Sequence, residues 1–175
     1  MPLAQPPRDL KNPTEEEKHA LEGIDYYRQW DNGYAKQQST RPQTLGYGLT
    51  DSPVGQLAWI VEKFKEWTDS ARELPDEAVP RDRLLANMAV YWFTNTATSS
   101  ANLYYEFGHA RTRLDPSPVP MGVAVFEADL AIRRYGERLF NITHWSDFDT
   151  GGHFAAMETP QLLVDDIRAF FATVS

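Results

Sequence analysis

His153 lies in Asp149-Thr150-Gly151-Gly152-His153-Phe154-Ala155-Ala156. Two glycines ahead of a histidine let the backbone turn tightly and present the imidazole from a loop. A loop of this kind beyond a strand end is where α/β proteins hold reactive groups, although a structural loop histidine would have the same neighbours. Asp129, in Phe126-Glu127-Ala128-Asp129-Leu130, is a carboxylate that could accept from that imidazole and fix its tautomer and orientation. Helix capping would serve equally well as a reason for an Asp there. Glu127 also qualifies, and spacing does not choose between the two. Tyr34, Tyr104 and Tyr105 carry phenols that can donate to an oxygen gaining charge, or can simply pack as aromatic rings.

Other chemistries find no support in the residues. There is no G-x-S-x-G elbow, no P-loop, no G-x-G-x-x-G and no H-E-x-x-H. His19, His109, His144 and His153 are scattered without metal-ligand spacing. Cysteine is absent, which excludes disulfides, thiolate nucleophiles and cysteine-ligated metals and accords with a cytoplasmic setting.

The elements that must position these groups can be read from the pattern. Residues 1–13 are Pro-rich and irregular. Thr14 followed by Glu15, Glu16 and Glu17 is a capped helix start. Leu21, Ile24, Tyr27 and Trp30 continue it at helical spacing until Asn32-Gly33. A turn at 40–44 leads into a short helix. Asp51-Ser52-Pro53 opens another, with Leu57, Ile60, Val61, Phe64 and Trp67 as its apolar face. Residues 68–80 read as a loop and 81–107 as a long or broken helical segment. Its middle, residues 91–100, lacks a polar face and so should be buried or line a cavity.

After a loop over 108–118 the pattern changes. Val119 to Phe126 reads as a strand covered on both faces, Ala128 to Leu139 as a helix and Phe140 to Trp145 as a second strand. Residues 146–157 form a loop, and Pro160 to Val174 an amphipathic helix. That alternation is the pattern of an α/β protein with parallel strands. Two strands do not satisfy a sheet's faces and edges, so the chain reads as helices followed by the tail end of an α/β layer.

With 175 residues, 42% hydrophobic and 24% charged, the composition is that of a globular chain. Seventeen basic against 25 acidic side chains give a formal charge of −8, which argues against a nucleic-acid partner. The N-terminal residues do not form a signal-peptide pattern. No apolar run reaches the roughly 18 residues of a transmembrane segment.

Several segments in order carry a resemblance. Gly33-Tyr34-Ala35-Lys36-Gln37-Gln38-Ser39-Thr40-Arg41-Pro42-Gln43-Thr44 is followed by Leu49-Thr50-Asp51-Ser52-Pro53-Val54-Gly55. Then come Glu62-Lys63-Phe64, Tyr91-Trp92 with Ser99-Ser100, and Gly151-Gly152-His153-Phe154-Ala155-Ala156. Over roughly residues 14–173 they resemble the C-terminal half of microsomal-type epoxide hydrolases of the α/β-hydrolase superfamily. Juvenile hormone epoxide hydrolases share the pattern.

The resemblance implies an incomplete α/β-hydrolase fold: a helical lid over 1–117, then the last two strands and helices of the core over 118–175. It implies that His153 is the catalytic histidine and that Asp129 is its relay acid, with Glu127 close by. Tyr34 and Tyr104 become the lid tyrosines that donate to the epoxide oxygen, Tyr105 being the neighbour of Tyr104. The substrate would be a small apolar epoxide, the product a vicinal diol, and no cofactor is needed. The family's nucleophilic Asp and its His-Gly-x-Pro oxyanion loop have no counterpart in these residues. The expectation is therefore little turnover by this chain alone, with a missing N-terminal half or a companion chain supplying the nucleophile and Met1 an internal methionine. A non-catalytic helical module that binds apolar small molecules is the alternative, as is a decayed gene product.

Overall fold

A computed structural model describes residues 10–110 and 115–174. The expected irregular start over 1–9, and 111–114 of the expected loop, lie outside the described residues. The chain divides into two compact units, residues 10–29 with 115–174 and residues 30–110.

The second of these is helical. It holds α2 (Gly33–Thr40), α3 (Pro42–Asp51), α4 (Pro53–Trp67), α5 (Pro75–Ala78), α6 (Arg81–Thr94) and α7 (Ala97–His109). Proline opens α3 and α4 in the first turn, where its missing N–H costs nothing. The Ser52 hydroxyl caps α4 by accepting from the Gly55 N–H at 3.0 Å. The segment expected over 81–107 breaks at Asn95, which adopts the left-handed conformation at φ 54° and ends α6. Helices α2 and α3 pack on α7, and α4 packs on α3 and α6. Leu49, Phe64, Val79, Leu84, Ala97 and Ala101 are the buried apolar residues of this unit. Of the stretch 91–100, expected to be buried or to line a cavity, Ala97 alone is buried and Phe93 is 84% exposed, while Thr98 lines a hollow with Gly46 and Thr50 of α3. The loop expected over 68–80 contains the single turn α5, which Pro75 starts and the Glu77 carboxylate braces by accepting from the Leu74 N–H.

The other unit begins with α1 (Glu15–Tyr26). Its capping box is complete: the Thr14 hydroxyl accepts from the Glu17 N–H at 3.2 Å, and the Glu17 carboxylate accepts from the Thr14 N–H at 2.8 Å. A π-helical turn, Tyr27–Asp31, follows α1. Strands β1 (Ser117–Val125) and β2 (Phe140–Asp147) pair in parallel. The register slips near Pro118 and Pro120, which cannot donate to a ladder, and the Asn141 amide donates to the Pro118 carbonyl there. Of β1 only Val123 is buried, so the expected cover on both faces is absent among the described residues. The helix expected over 128–139 shrinks to one turn, α8 (Arg133–Gly136). Asp129 closes a turn with Phe126 instead, and local bonds of this kind compete with a helix. Ile132, extended and 2% exposed, fills the core from outside any helix.

The loop after β2 includes the short α9 (Ala155–Glu158), and α10 (Pro160–Thr173) closes the chain. Helix α10 lies close to β1: a Cβ on Gly122 would sit 2.8 Å from the Phe170 ring. The half-buried stripe of α10 is Leu163, Asp166 and Phe170. Asp166 is tolerated there because His144 Nε2 lies 2.7 Å away and the Ser146 hydroxyl donates to it at 2.6 Å. Ile167 and Phe171 of the same helix are exposed.

Candidate active site

The His153 loop and the Asp129 turn meet at the ends of the two strands. The Phe148 N–H donates to the Val125 carbonyl at 2.8 Å, and the Ala128 N–H donates to the Gly151 carbonyl at 3.3 Å. The Phe126 and Phe148 rings stack with centroids 5.0 Å apart. Gly151 has φ +81°, a conformation that side chains other than glycine rarely adopt. A Cβ there would also lie 2.8 Å from the Thr159 hydroxyl and 3.1 Å from the Phe126 ring. Gly151 and Gly152 are buried, so the turn is fixed from beneath, while His153 next to them is exposed. Its ring stands edge-on to Phe154, 5.1 Å between centroids. The Phe154 N–H donates to Glu158 at 3.0 Å and seats the start of α9.

Asp129 is half-buried, and its carboxylate accepts from the Phe126 N–H at 3.0 Å. Glu127 is exposed on the same turn. Both acids therefore sit on the turn that is bonded to the His153 loop, and Asp129 is the one drawn into it.

In the helical unit Tyr34 of α2 and Tyr104 of α7 are paired. Their rings are 5.8 Å apart at 80°, an edge-to-face contact. Tyr105 does something else: it stacks on His109 at 4.0 Å. Of the two adjacent tyrosines, Tyr104 is the one that meets Tyr34. Ser99 and Ser100 donate back to Thr96 and Ala97 carbonyls in the first turn of α7.

Three residues around Tyr34 do not stand out as site residues in the sequence. Trp67 meets the Tyr34 ring edge-on at 5.1 Å, and the Lys63 ammonium lies 4.9 Å from its centroid. Asp31 accepts from both, from Lys63 Nζ at 2.9 Å and from the Trp67 indole N–H at 2.6 Å. The Lys63 and Asp31 side chains are only 11% and 13% exposed. Burial pushes the Lys63 ammonium down, but its hydrogen bonds to Asp31 and Glu62 outweigh this and hold it above the ordinary lysine value. A lysine within the apolar face of α4 was the available signal. A charge on a packing face must find a partner.

No protein-family model matches the chain. The solved structure of Aspergillus niger epoxide hydrolase is similar over 97% of this chain and 43% of its own, with a TM-score of 0.79 and 29% identity. The two parallel strands and the helices around them are thus part of an α/β-hydrolase fold. Among curated proteins, a Stigmatella aurantiaca protein that carries an epoxide hydrolase name is 40% identical over 173 residues, which is 97% of this chain and 38% of that relative. Epoxide hydrolase 1 of Sus scrofa is 37% identical over 156 residues, 80% of this chain and 34% of that relative. Juvenile hormone epoxide hydrolases are among the other relatives. The chain spans about two fifths of the length of the proteins it matches, and over that part it is similar to epoxide hydrolases. No helix among the described residues is long and apolar enough to cross a membrane.

Proposed function

We propose that this chain contributes the histidine, the relay acid and the lid tyrosines of an enzyme that hydrolyses apolar epoxides to vicinal diols. The observation that carries the reading is the hydrogen bond from Ala128 to Gly151, which ties the Asp129 turn to the His153 loop. In this reading the lid is residues 1–117 and the core portion 118–175, with α1 clustering with the latter. The setting is the cytoplasm, a reading that rests on the cysteine-free composition.

The chemistry follows from the groups. A carboxylate from polypeptide beyond these 175 residues, in the same chain or a companion, attacks a ring carbon. The C–O bond of the ring breaks and an alkyl-enzyme ester forms. Tyr34 and Tyr104 donate to the ring oxygen as it gains charge. His153, held in one tautomer by Asp129, takes a proton from water, and the resulting hydroxide attacks the ester carbonyl. The acyl C–O bond of the ester then breaks with the diol oxygen as leaving group. The proton held by His153 replaces the one the tyrosines gave to the ring oxygen, and the carboxylate is regenerated as the diol is released.

The test is diol formation from styrene oxide. The 175-residue protein alone is expected to form none. Co-expression with the segment of a relative that this chain does not match should give turnover that His153→Ala removes. Turnover by the chain alone, or a fully active complex carrying His153→Ala, would refute the assignment.

A further inference from the structure

The Asp31 carboxylate has an arrangement that stability alone does not require. Each of its oxygens accepts from a residue of α4: Lys63 on one, Trp67 one turn later on the other. Taking a Lys–Asp pair out of water costs about as much as the pair returns, and an apolar replacement is often as stable or more so. The donors it fixes are the two groups of α4 that bear on Tyr34. The Lys63 ammonium lies within cation–π range of the Tyr34 ring and the Trp67 indole stands at its edge. Tyr104 meets the same ring edge-to-face. Asp31 ends the π-helical turn three residues before Tyr34, and such turns recur at functional sites. A cation beside a phenol ring draws density from the ring and strengthens its O–H as a donor.

We propose that Asp31 is a positioning residue for Tyr34, acting through Lys63 and Trp67 to hold the phenol in place and sharpen its hydrogen-bond donation. This rests on the reading of Tyr34 as the donor to the epoxide oxygen. Other polar or charged groups there, among the described residues, include Glu62, which also accepts from Lys63 at 3.2 Å, and the Tyr104 phenol.

The test is carbon NMR of the 175-residue protein labelled at tyrosine Cζ, with the Tyr34 line assigned by its loss in Tyr34→Phe. Asp31→Asn should displace the Tyr34 line and leave that of exposed Tyr47 in place. Because Asp31 acts through Lys63, adding Lys63→Met to Asp31→Asn should move the line little further. Lys63→Arg, which keeps the charge, should restore most of the position that Lys63→Met loses. Trp67→Phe keeps a ring but removes the indole N–H, and it gives a second route if Asp31→Asn does not fold: it too should displace the line. A Tyr34 line unmoved by either change, or additive shifts in the double variant, overturns the proposal. Titration of the complex with the co-expressed segment, using the diol product of styrene oxide, separates the two readings. If the unchanged protein shows no Tyr34 response, the donor assignment fails, and the Asp31 brace loses its purpose with it. If it responds, Asp31→Asn should weaken the apparent affinity about tenfold, and an unaltered affinity would sink the positioning role alone.

Discussion

Around His153 the main chain does the positioning, through Ala128 to Gly151, Phe148 to Val125 and a glycine at φ +81°. Around Tyr34 side chains do it, through an aspartate, a lysine, an indole and a second tyrosine. The first kind of site tolerates little change of backbone and much change of neighbouring side chains. The second has the opposite sensitivities. In the proposed mechanism, a histidine that moves protons in one tautomer gains from a rigid loop. In the same mechanism, a phenol that follows a developing charge gains from a polar, tunable cage.

The comparison breaks most visibly at His153. In an assembled enzyme His153→Ala should lower turnover about 10³-fold. Because the ester would form but not hydrolyse, mass spectrometry should find substrate attached to the nucleophile-bearing chain. Loss of activity without trapped ester would move His153 to the alkylation step. Tyr34→Phe comes next, with a loss of about 10²-fold that falls on ester formation, so that no trapped intermediate accumulates. Pre-steady-state measurement of the two half-reactions decides between these outcomes. If Tyr34→Phe slows ester hydrolysis instead, the division of labour between the two regions is wrong.

The two regions also differ in how far they could be read from sequence. The Gly151-Gly152-His153 run announces a tight turn because only glycine adopts the conformation at Gly151 without strain. The starts of α1 and α4 follow from Thr14, Ser52 and Pro53, whose effects are local, and the strand order after residue 117 from two short apolar runs. Sequence leaves the relay acid between Glu127 and Asp129, since a spacing of two residues on a turn does not say which side chain faces inward. The helix expected over 128–139 failed for a related reason: Asp129 bonds back to Phe126, and propensity carries no information about that competing bond. Asp31 escapes notice because its partners are 32 and 36 residues away, a separation that no local pattern records. Residues 91–100 were expected to be buried or to line a cavity because they lack a polar face, yet exposure depends on what surrounds the segment, as Phe93 demonstrates.

Two glycine substitutions extend the contrast at smaller magnitude. Gly151→Ala places a side chain at positive φ and against Thr159 and Phe126, and should cost about 1–3 kcal/mol. Gly33→Ala, beside Tyr34, meets nothing within 4 Å and should stay within about 0.5 kcal/mol of the parent. Denaturant melts of the two variants check this, and equal destabilisation would mean that the backbone near Tyr34 is as constrained as that near His153.

The smallest effects separate the regions by pH. The Glu17 carboxyl is held below its ordinary value of 4.5 by the hydrogen bond from Arg134 and then by the Thr14 N–H, with burial opposing. A lowered folded-state value means that the contribution is present above 4.5 and is lost as pH falls beneath it. Lys63 is shifted the other way: burial lowers it, but Asp31 and Glu62 raise it above 10.5. Its contribution is complete below 10.5 and is lost as pH rises past it. Acid should therefore weaken the tie between α1 and α8, and alkali the cage around Tyr34. Melting followed from about pH 3 to about pH 11 should lose part of its acid limb in Glu17→Gln and part of its alkaline limb in Lys63→Met. The acid change will be slight, because Arg134 is an exposed partner and water screens the pair. If Glu17→Gln instead flattens the alkaline limb, or Lys63→Met the acid one, the assignment of these charges to their regions is wrong.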